Sequence, residues 1–251
     1  MTTIALVHYG SDAFVPLLQE WLRVFRLSGC KLPVVVFADE YVSIPLDFKE
    51  YTGRKQMFSY IRLDDVLYPG IIRPGKAFDS KGCIILQGIQ KVLGRLLIVD
   101  TDAFFVKDPT HLIEALPNKV KIMMGEDPNI RTIQGLQIAE QVRERNAGVL
   151  YFGEGDEYSR RQIAAAYAYT FRSLREYNNN PMLEQCTWTM LARTANEPML
   201  PRELNWSYLW GRTNERAHIL HEHGPQKWRK IPNASCNKEG VLDPLYANAY
   251  K

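Results

Sequence analysis

The stretch LLIVDTDAFFVKDP, residues 96–109, opens with four aliphatic residues and breaks at once into Asp100-Thr101-Asp102. Consecutive apolar residues without polar alternation fit a strand buried on both faces, as in a parallel sheet covered by helices. In open α/β sheets ligands sit in the crevice beyond the carboxyl ends of the strands. The two carboxylates therefore stand where a ligand belongs. On a chain leaving a strand, side chains at i and i+2 point the same way, and paired carboxylates raise each other's proton affinity unless a cation joins them. All-oxygen ligands suit Mg²⁺ or Mn²⁺. The competing reading of these residues is that one Asp caps the segment after Pro109 or pairs with a lysine.

Working outward, TIALVHYG (3–10) and LPVVVFAD (32–39) repeat the pattern of a buried strand. Between them Phe14, Leu17, Leu18, Trp21, Leu22 and Phe25 recur at helical spacing, with Ser11 or Asp12 as N-cap and Gly29 as the stop. This β-α-β unit, followed by a third strand at MFSYIRL (57–63), predicts an α/β fold with a mostly parallel central sheet flanked by helices. After the break YPGIIRPG (68–75), Ser80 offers a cap for a helix whose Ile84, Ile85, Ile89, Val92 and Leu93 face the sheet. Further strands are expected at VKIMMGE (120–126) and AGVLYF (147–152), a polar exposed segment at 129–145, and helices near 157–176 and 183–194. Neither repeats nor a linker interrupt the chain, so it reads as one domain over 1–251.

The 251 residues are 46% apolar and 24% charged, with a net charge of +3. That composition supplies a core and excludes a disordered chain. No basic run is long enough to follow a phosphate backbone, so nucleic acid is not expected as a partner. Cys30, Cys83, Cys186 and Cys236 form no C-x-x-C pair, which fits free thiols. No apolar run approaches a membrane span and the N-terminus has no signal-peptide pattern, so a cytoplasmic protein is expected. Trp21, Trp188, Trp206, Trp210 and the tyrosines at 158, 167, 169 and 177 read as packing residues, and 140–146 as a solvated face.

Near the C-terminus, His221 and His223 alternate on an extended segment, with Gly224 and Lys227 behind them. A neutral imidazole suits Mn²⁺ and an ammonium neutralises phosphate oxygens. H-x-H is also a zinc pattern, but further nitrogen or sulfur ligands are not visible nearby. Asp100-Thr101-Asp102, Asn146-Ala147-Gly148, Glu184-Gln185, Leu200-Pro201 with Asn205-Trp206, and His221-x-x-Gly224-x-x-Lys227-Trp228 follow in that order. The series resembles the family 8 retaining glycosyltransferases of the glycogenin and bacterial galactosyltransferase type, which have a GT-A fold.

The resemblance implies a hexosyltransferase that uses a nucleotide-sugar, UDP-linked, with Mn²⁺ or Mg²⁺, its nucleotide-binding half at about 1–110 and its metal-completing, acceptor-binding half at about 111–251. It implies Asp100, Asp102 and His221 as metal ligands, with Gly224 and Lys227 on the diphosphate. His8, Tyr9 and Gly10 would hold base and ribose. Lys81 would approach the donor, and Asn146 with Gly148 the sugar or acceptor. Gln185 and Glu184 would lie at the reacting sugar. Three departures stand out: Glu184 replaces the family's Asp, no proline follows Lys227, and the chain ends soon after the last motif. An inverting route would need a carboxylate base, for which Glu126, Asp127 and Glu184 are available. Two other functions remain open at this stage: a sugar-phosphate nucleotidyltransferase, and a catalytically silent nucleotide-sugar binder. The acceptor is not identified.

Overall fold

A computed structural model describes residues 1–8, 15–38, 60–61, 77–127, 145–177, 183–207, 210 and 215–221. Strand β1 (Thr2–His8) is buried almost throughout, as its unbroken aliphatic run requires. Helix α1 (Val15–Leu27) returns the chain to β2 (Val34–Ala38), with Gly29 at φ +82° turning the helix C-terminus. A side chain there would be strained, so the glycine acts as the expected stop. The β3 pair (Tyr60–Ile61) lies inside the expected third strand, whose other residues are outside the described ones.

Helix α2 (Ala77–Lys91) leads into β4 (Arg95–Asp100), β5 (Ala103–Phe105) and the short α3 (Thr110–Glu114). After them come β6 (Met123–Glu126), β7 (Arg145–Phe152), α4 (Glu157–Tyr177), α5 (Leu183–Thr194), β8 (Trp206–Ser207) and β9 (Ile219–His221).

The main sheet runs β3-β2-β1-β4-β7-β6. The first four strands are parallel, but β7 is antiparallel to β4 and to β6, so the sheet is mixed. The chain adds β2 and β3 on one side of β1, then crosses to β4 on the other. This reversal of direction is the place where such sheets bind ligands. Val7 at the end of β1 sits in register with Asp100 at the end of β4.

Alternate residues of the strands fill two cores. Ile4, Leu6, Leu97 and Val99 pack with Leu18, Trp21 and Phe25 of α1, while Ala5, Val7, Leu96 and Ile98 pack with α2, α4 and α5. A second, three-stranded sheet, β5-β9-β8, lies beyond the end of β4. The Trp21 indole donates to the Ala103 carbonyl at 2.7 Å, and Trp21 stacks on Phe25 with both rings against Phe105. The segment carrying the acidic pair is thereby tied to α1.

Several expectations need correction. Helix α2 starts at Ala77, so Ser80 lies within its first turn and is not its cap. Leu93 lies past the helix and is 53% exposed, facing solvent and not the sheet. Tyr158 and Tyr169 project outward from α4, whereas Tyr167 between them is buried. Arg145 and Asn146 belong to β7, with Asn146 buried, and are not part of a solvated face. Cys30, Cys83 and Cys186 are buried free thiols, and Cys236 lies outside the described residues. Among the described residues no helix is long and apolar enough to cross a membrane.

Candidate active site

Asp100 closes β4 and Asp102 follows two residues later, just before β5. β5 pairs antiparallel with β9, and that register sets Ala103 opposite His221. The short second sheet thus carries His221 to the acidic pair. One ligand atom from each of Asp100, Asp102 and His221 lies within 4.8 Å of the others, and His221 Nε2 is 3.4 Å from Asp102 Oδ1.

Lys81 rises from α2 beneath the pair. Its ammonium donates to Asp100 Oδ2 at 2.8 Å and to the Ala147 carbonyl at 3.0 Å, and lies 3.9 Å from Glu184 Oε2. The competing reading, an Asp paired with a lysine, is therefore realised for Asp100 alongside the clustering. Burial works against the charged form of Lys81, but Asp100 and Glu184, with a smaller contribution from Asp102, outweigh it and hold its pKa above the ordinary lysine value. The Asp100 carboxyl is pushed up, mainly by burial and further by Asp102, while Lys81 and His221 oppose the shift. Asp108, and not either member of the pair, caps the segment after Pro109, accepting the Thr110 N–H at 2.9 Å.

A divalent cation fits this cluster on three counts. Asp100 Oδ1 is buried without a hydrogen-bond partner among the described residues. An atom left in that state is costly unless something else meets it. With the three carboxylates ionised and His221 neutral, Lys81, Asp100, Asp102 and Glu184 would carry two net negative charges, matching one divalent ion. Two carboxylates and one imidazole without thiolate are chemistry for Mn²⁺ or Mg²⁺ more than for structural zinc.

Around the triad, strand β7 supplies a frame. Asn146 Oδ1 accepts the Gly148 N–H at 2.9 Å and the Asn205 amide at 3.1 Å, and Asn205 Oδ1 faces His221 Nδ1 at 3.1 Å. The imidazole lies directly on Gly148, where a Cβ would come within 1.8 Å of His221 Cε1. Asn205 lies in the same way on Gly125, at 2.3 Å. These two glycines are needed for close approach of side chains, and neither has a positive φ.

Helix α5 presents Glu184 and Gln185, both buried. Gln185 Oε1 accepts the Ala147 N–H at 3.0 Å and its amide donates to Asp127 Oδ2 at 3.1 Å. The other two carboxylates considered as bases differ: Glu126 is ion-paired with Arg202 at the surface, while Asp127 is held by Gln185. His8 is buried at the end of β1. Tyr9, Gly10, His223, Gly224 and Lys227 lie outside the described residues.

The structure thus brings together Asp100, Asp102, His221, Lys81, Asn146, Gly148, Glu184 and Gln185. Sequence reading gave no role to Asn205 or Gly125. Asn205 was visible within the L-P-x-x-x-N pattern, but Gly125 carried no signal, because the side chain that needs its space comes from 80 residues further on.

No protein-family model matches the sequence, and no curated protein matches it either. Solved structures do. The galactosyltransferase LgtC, determined with donor and acceptor sugar analogues, is similar with a TM-score of 0.65 at 12% identity, over 91% of this chain and 89% of that one. An active-site Gln-to-Glu mutant of LgtC gives 0.65 at 11% identity, over 94% and 91%. Mouse xyloside xylosyltransferase 1 in its apo form gives 0.56 at 15% identity, over 89% and 98%. At these identities the likeness establishes the fold, which is that of GT-A glycosyltransferases.

Proposed function

We propose that this protein is a metal-dependent glycosyltransferase that moves a hexose from a nucleotide-sugar, UDP-linked, to an acceptor with retention at the anomeric carbon. The observation that carries this reading is the convergence of Asp100, Asp102 and His221 at the sheet's reversal point. Similarity to galactosyl- and xylosyltransferases of known structure supports the reaction class.

Asp100, Asp102 and His221 would hold Mn²⁺ or Mg²⁺. When bound, the cation supplies positive charge to the diphosphate of the donor and to the leaving oxygen. Lys81 favours the ionised form of Asp100, against the burial that pushes its carboxyl up, and fixes it in place through a partly buried 2.8 Å bond. His8, with Tyr9 and Gly10, is assigned to base and ribose at the end of β1, and Gly224 and Lys227 to the phosphates. Asn146 and Gly148 border the sugar or acceptor.

Gln185 presents an amide immobilised between Ala147 and Asp127. A neutral amide is a poor nucleophile, so its part is a fixed dipole that stabilises positive charge growing on the sugar ring. Glu184 shares the neighbourhood of Lys81. The acceptor hydroxyl then attacks from the face that the leaving group departs: its oxygen bonds to the anomeric carbon as the bond to the β-phosphate oxygen breaks, and that departing oxygen takes the hydroxyl proton, with no enzymic nucleophile.

A thermal-shift panel of nucleotides and nucleotide-sugars, with and without Mn²⁺, tests the reading. A ligand at 100 times its Kd stabilises by about 2.7 kcal/mol. A UDP-sugar should stabilise the protein only with the metal, and Asp102→Ala should remove the effect while leaving the fold intact. Absence of a metal-dependent shift with every nucleotide-sugar refutes the proposal. NMR of the product anomer tests retention. An inverted product, together with loss of transfer in Glu184→Gln, would replace it with displacement assisted by Glu184.

A further inference from the structure

We infer that Asn205, anchored through Asn146 on the Gly148 amide, is a positioning residue that holds His221 in the tautomer presenting the Nε2 lone pair to the metal. The inference rests on the proposed metal site, and it follows from a chain of hydrogen bonds that can be satisfied in only one sense.

A backbone N–H only donates. The Asn146 atom 2.9 Å from the Gly148 nitrogen must therefore be its oxygen. The Asn205 atom 3.1 Å from that oxygen must then be a donor, so it is the amide nitrogen. This turns the Asn205 oxygen toward His221 Nδ1, 3.1 Å away. An amide oxygen only accepts, so Nδ1 carries the proton. In a neutral imidazole the second nitrogen, Nε2, is then unprotonated, and it is the nitrogen that faces Asp102 at 3.4 Å.

The opposite tautomer would set two lone pairs against each other at Asn205. Its Nε2–H could turn to the Asp102 carboxylate, 3.4 Å away, but would then occupy the position where a cation would bind, and it leaves the clash at Asn205 in place. Rearrangement is restricted because Asn146, Asn205 and His221 are all at least 95% buried. Gly125 and Gly148 give Asn205 and His221 their places, since any Cβ there would collide with them. The orientation of a metal ligand on β9 is thus dictated by one backbone amide of β7, through two asparagine side chains. Such partners behind a ligand typically govern metal affinity by 10–100-fold.

The test uses full-length protein with ¹⁵N-labelled histidine, free of metal, and reads the two ring nitrogens of His221 separately. Two-bond ¹H–¹⁵N spectra should place the His221 proton on Nδ1. Asn205→Ala should abolish this preference and weaken Mn²⁺ binding, followed by the EPR signal of the free ion, by about 10–100-fold. Asn146→Asp keeps the one oxygen that both donors use, so it should retain the Nδ1–H tautomer and bind Mn²⁺ far more tightly than Asn205→Ala. A merely structural asparagine would not move the tautomer. A wild-type proton on Nε2, or unchanged tautomer and Mn²⁺ affinity in Asn205→Ala, overturns the inference; the wild-type spectrum decides it even if that variant fails to fold. A wild-type Nδ1–H tautomer without Mn²⁺ binding would support the relay and refute the metal-dependent function.

Discussion

Replacing Gly148 by alanine should disable the proposed metal site through a single methyl group. The new Cβ would lie 1.8 Å from His221 Cε1, whereas ordinary contact begins near 3.4 Å, so the imidazole must retreat by about 1.6 Å. Asn205 holds Nδ1, and β9 is paired to both β5 and β8, so the retreat has to break something. A 1.6 Å shift takes Nε2 out of the geometry that joins it to Asp100 and Asp102. Overpacking of this kind costs about 1–3 kcal/mol. In a chain of this length each kcal/mol lowers Tm by about 2–4 °C. Mn²⁺ affinity should fall by 100-fold or more, at or beyond the upper end of what disturbing a ligand's orientation costs. Gly88→Ala is the control, because its Cβ would meet Phe37 Cε2 at 2.1 Å in the core under the sheet. That variant should lose stability while keeping Mn²⁺ affinity. The assays are thermal melts and Mn²⁺ titration. Wild-type Mn²⁺ affinity in Gly148→Ala would refute the argument that His221 is seated on this glycine.

Lys81→Met should leave Asp100 and Glu184 without their buried cation and destabilise the protein by about 3–5 kcal/mol in the absence of metal. Added Mn²⁺ should recover part of that loss, and melts with and without the ion measure both effects. Lys227→Ala should lower kcat/KM by about 100-fold or more if its ammonium meets the diphosphate, whereas a change below about threefold in the same steady-state assay would refute that assignment. Asp156 accepts the Ser159 N–H at 2.9 Å at the start of α4, and bonds from the Ser159 hydroxyl and backbone hold its carboxyl below the ordinary value. A depressed folded value stabilises at neutral pH and loses its effect as pH falls through it. Asp156→Ala should therefore melt lower than wild type at neutral pH, and the two should converge below the ordinary Asp value of about 3.9; a gap that persists in acid would refute the cap's electrostatic part.

Much of the fold was legible because its signals are local. The aliphatic runs of β1, β2 and β4, the helical spacing of α1, α4 and α5 and the stop at Gly29 are each set by side chains within a few residues. The acidic pair could be placed at a strand's carboxyl end for the same reason. Strand direction was not legible in this way. A run buried on both faces has the same pattern whichever way its neighbour points, so the antiparallel pairing of β7 with β4 and β6 had no signature. Tyr158 and Tyr169 looked like core residues by type, but the phase of α4 relative to the sheet turned them outward and Tyr167 inward.

The site divides along the same line. The sequence by itself determined which chemistry is present: two carboxylates after a buried strand, a histidine pair far downstream, and an ordered series of short motifs between them. Only the tertiary structure decided that Lys81 holds Asp100, that β9 delivers His221 to Asp102, and that Asn205 and Asn146 orient the imidazole. Those contacts depend on the register of β5 with β9 and on the space left by Gly125 and Gly148. Register and close approach are properties of segments far apart in the chain. No periodicity within one segment encodes them, because the energy that selects them comes from burial and hydrogen bonds formed only once the strands meet.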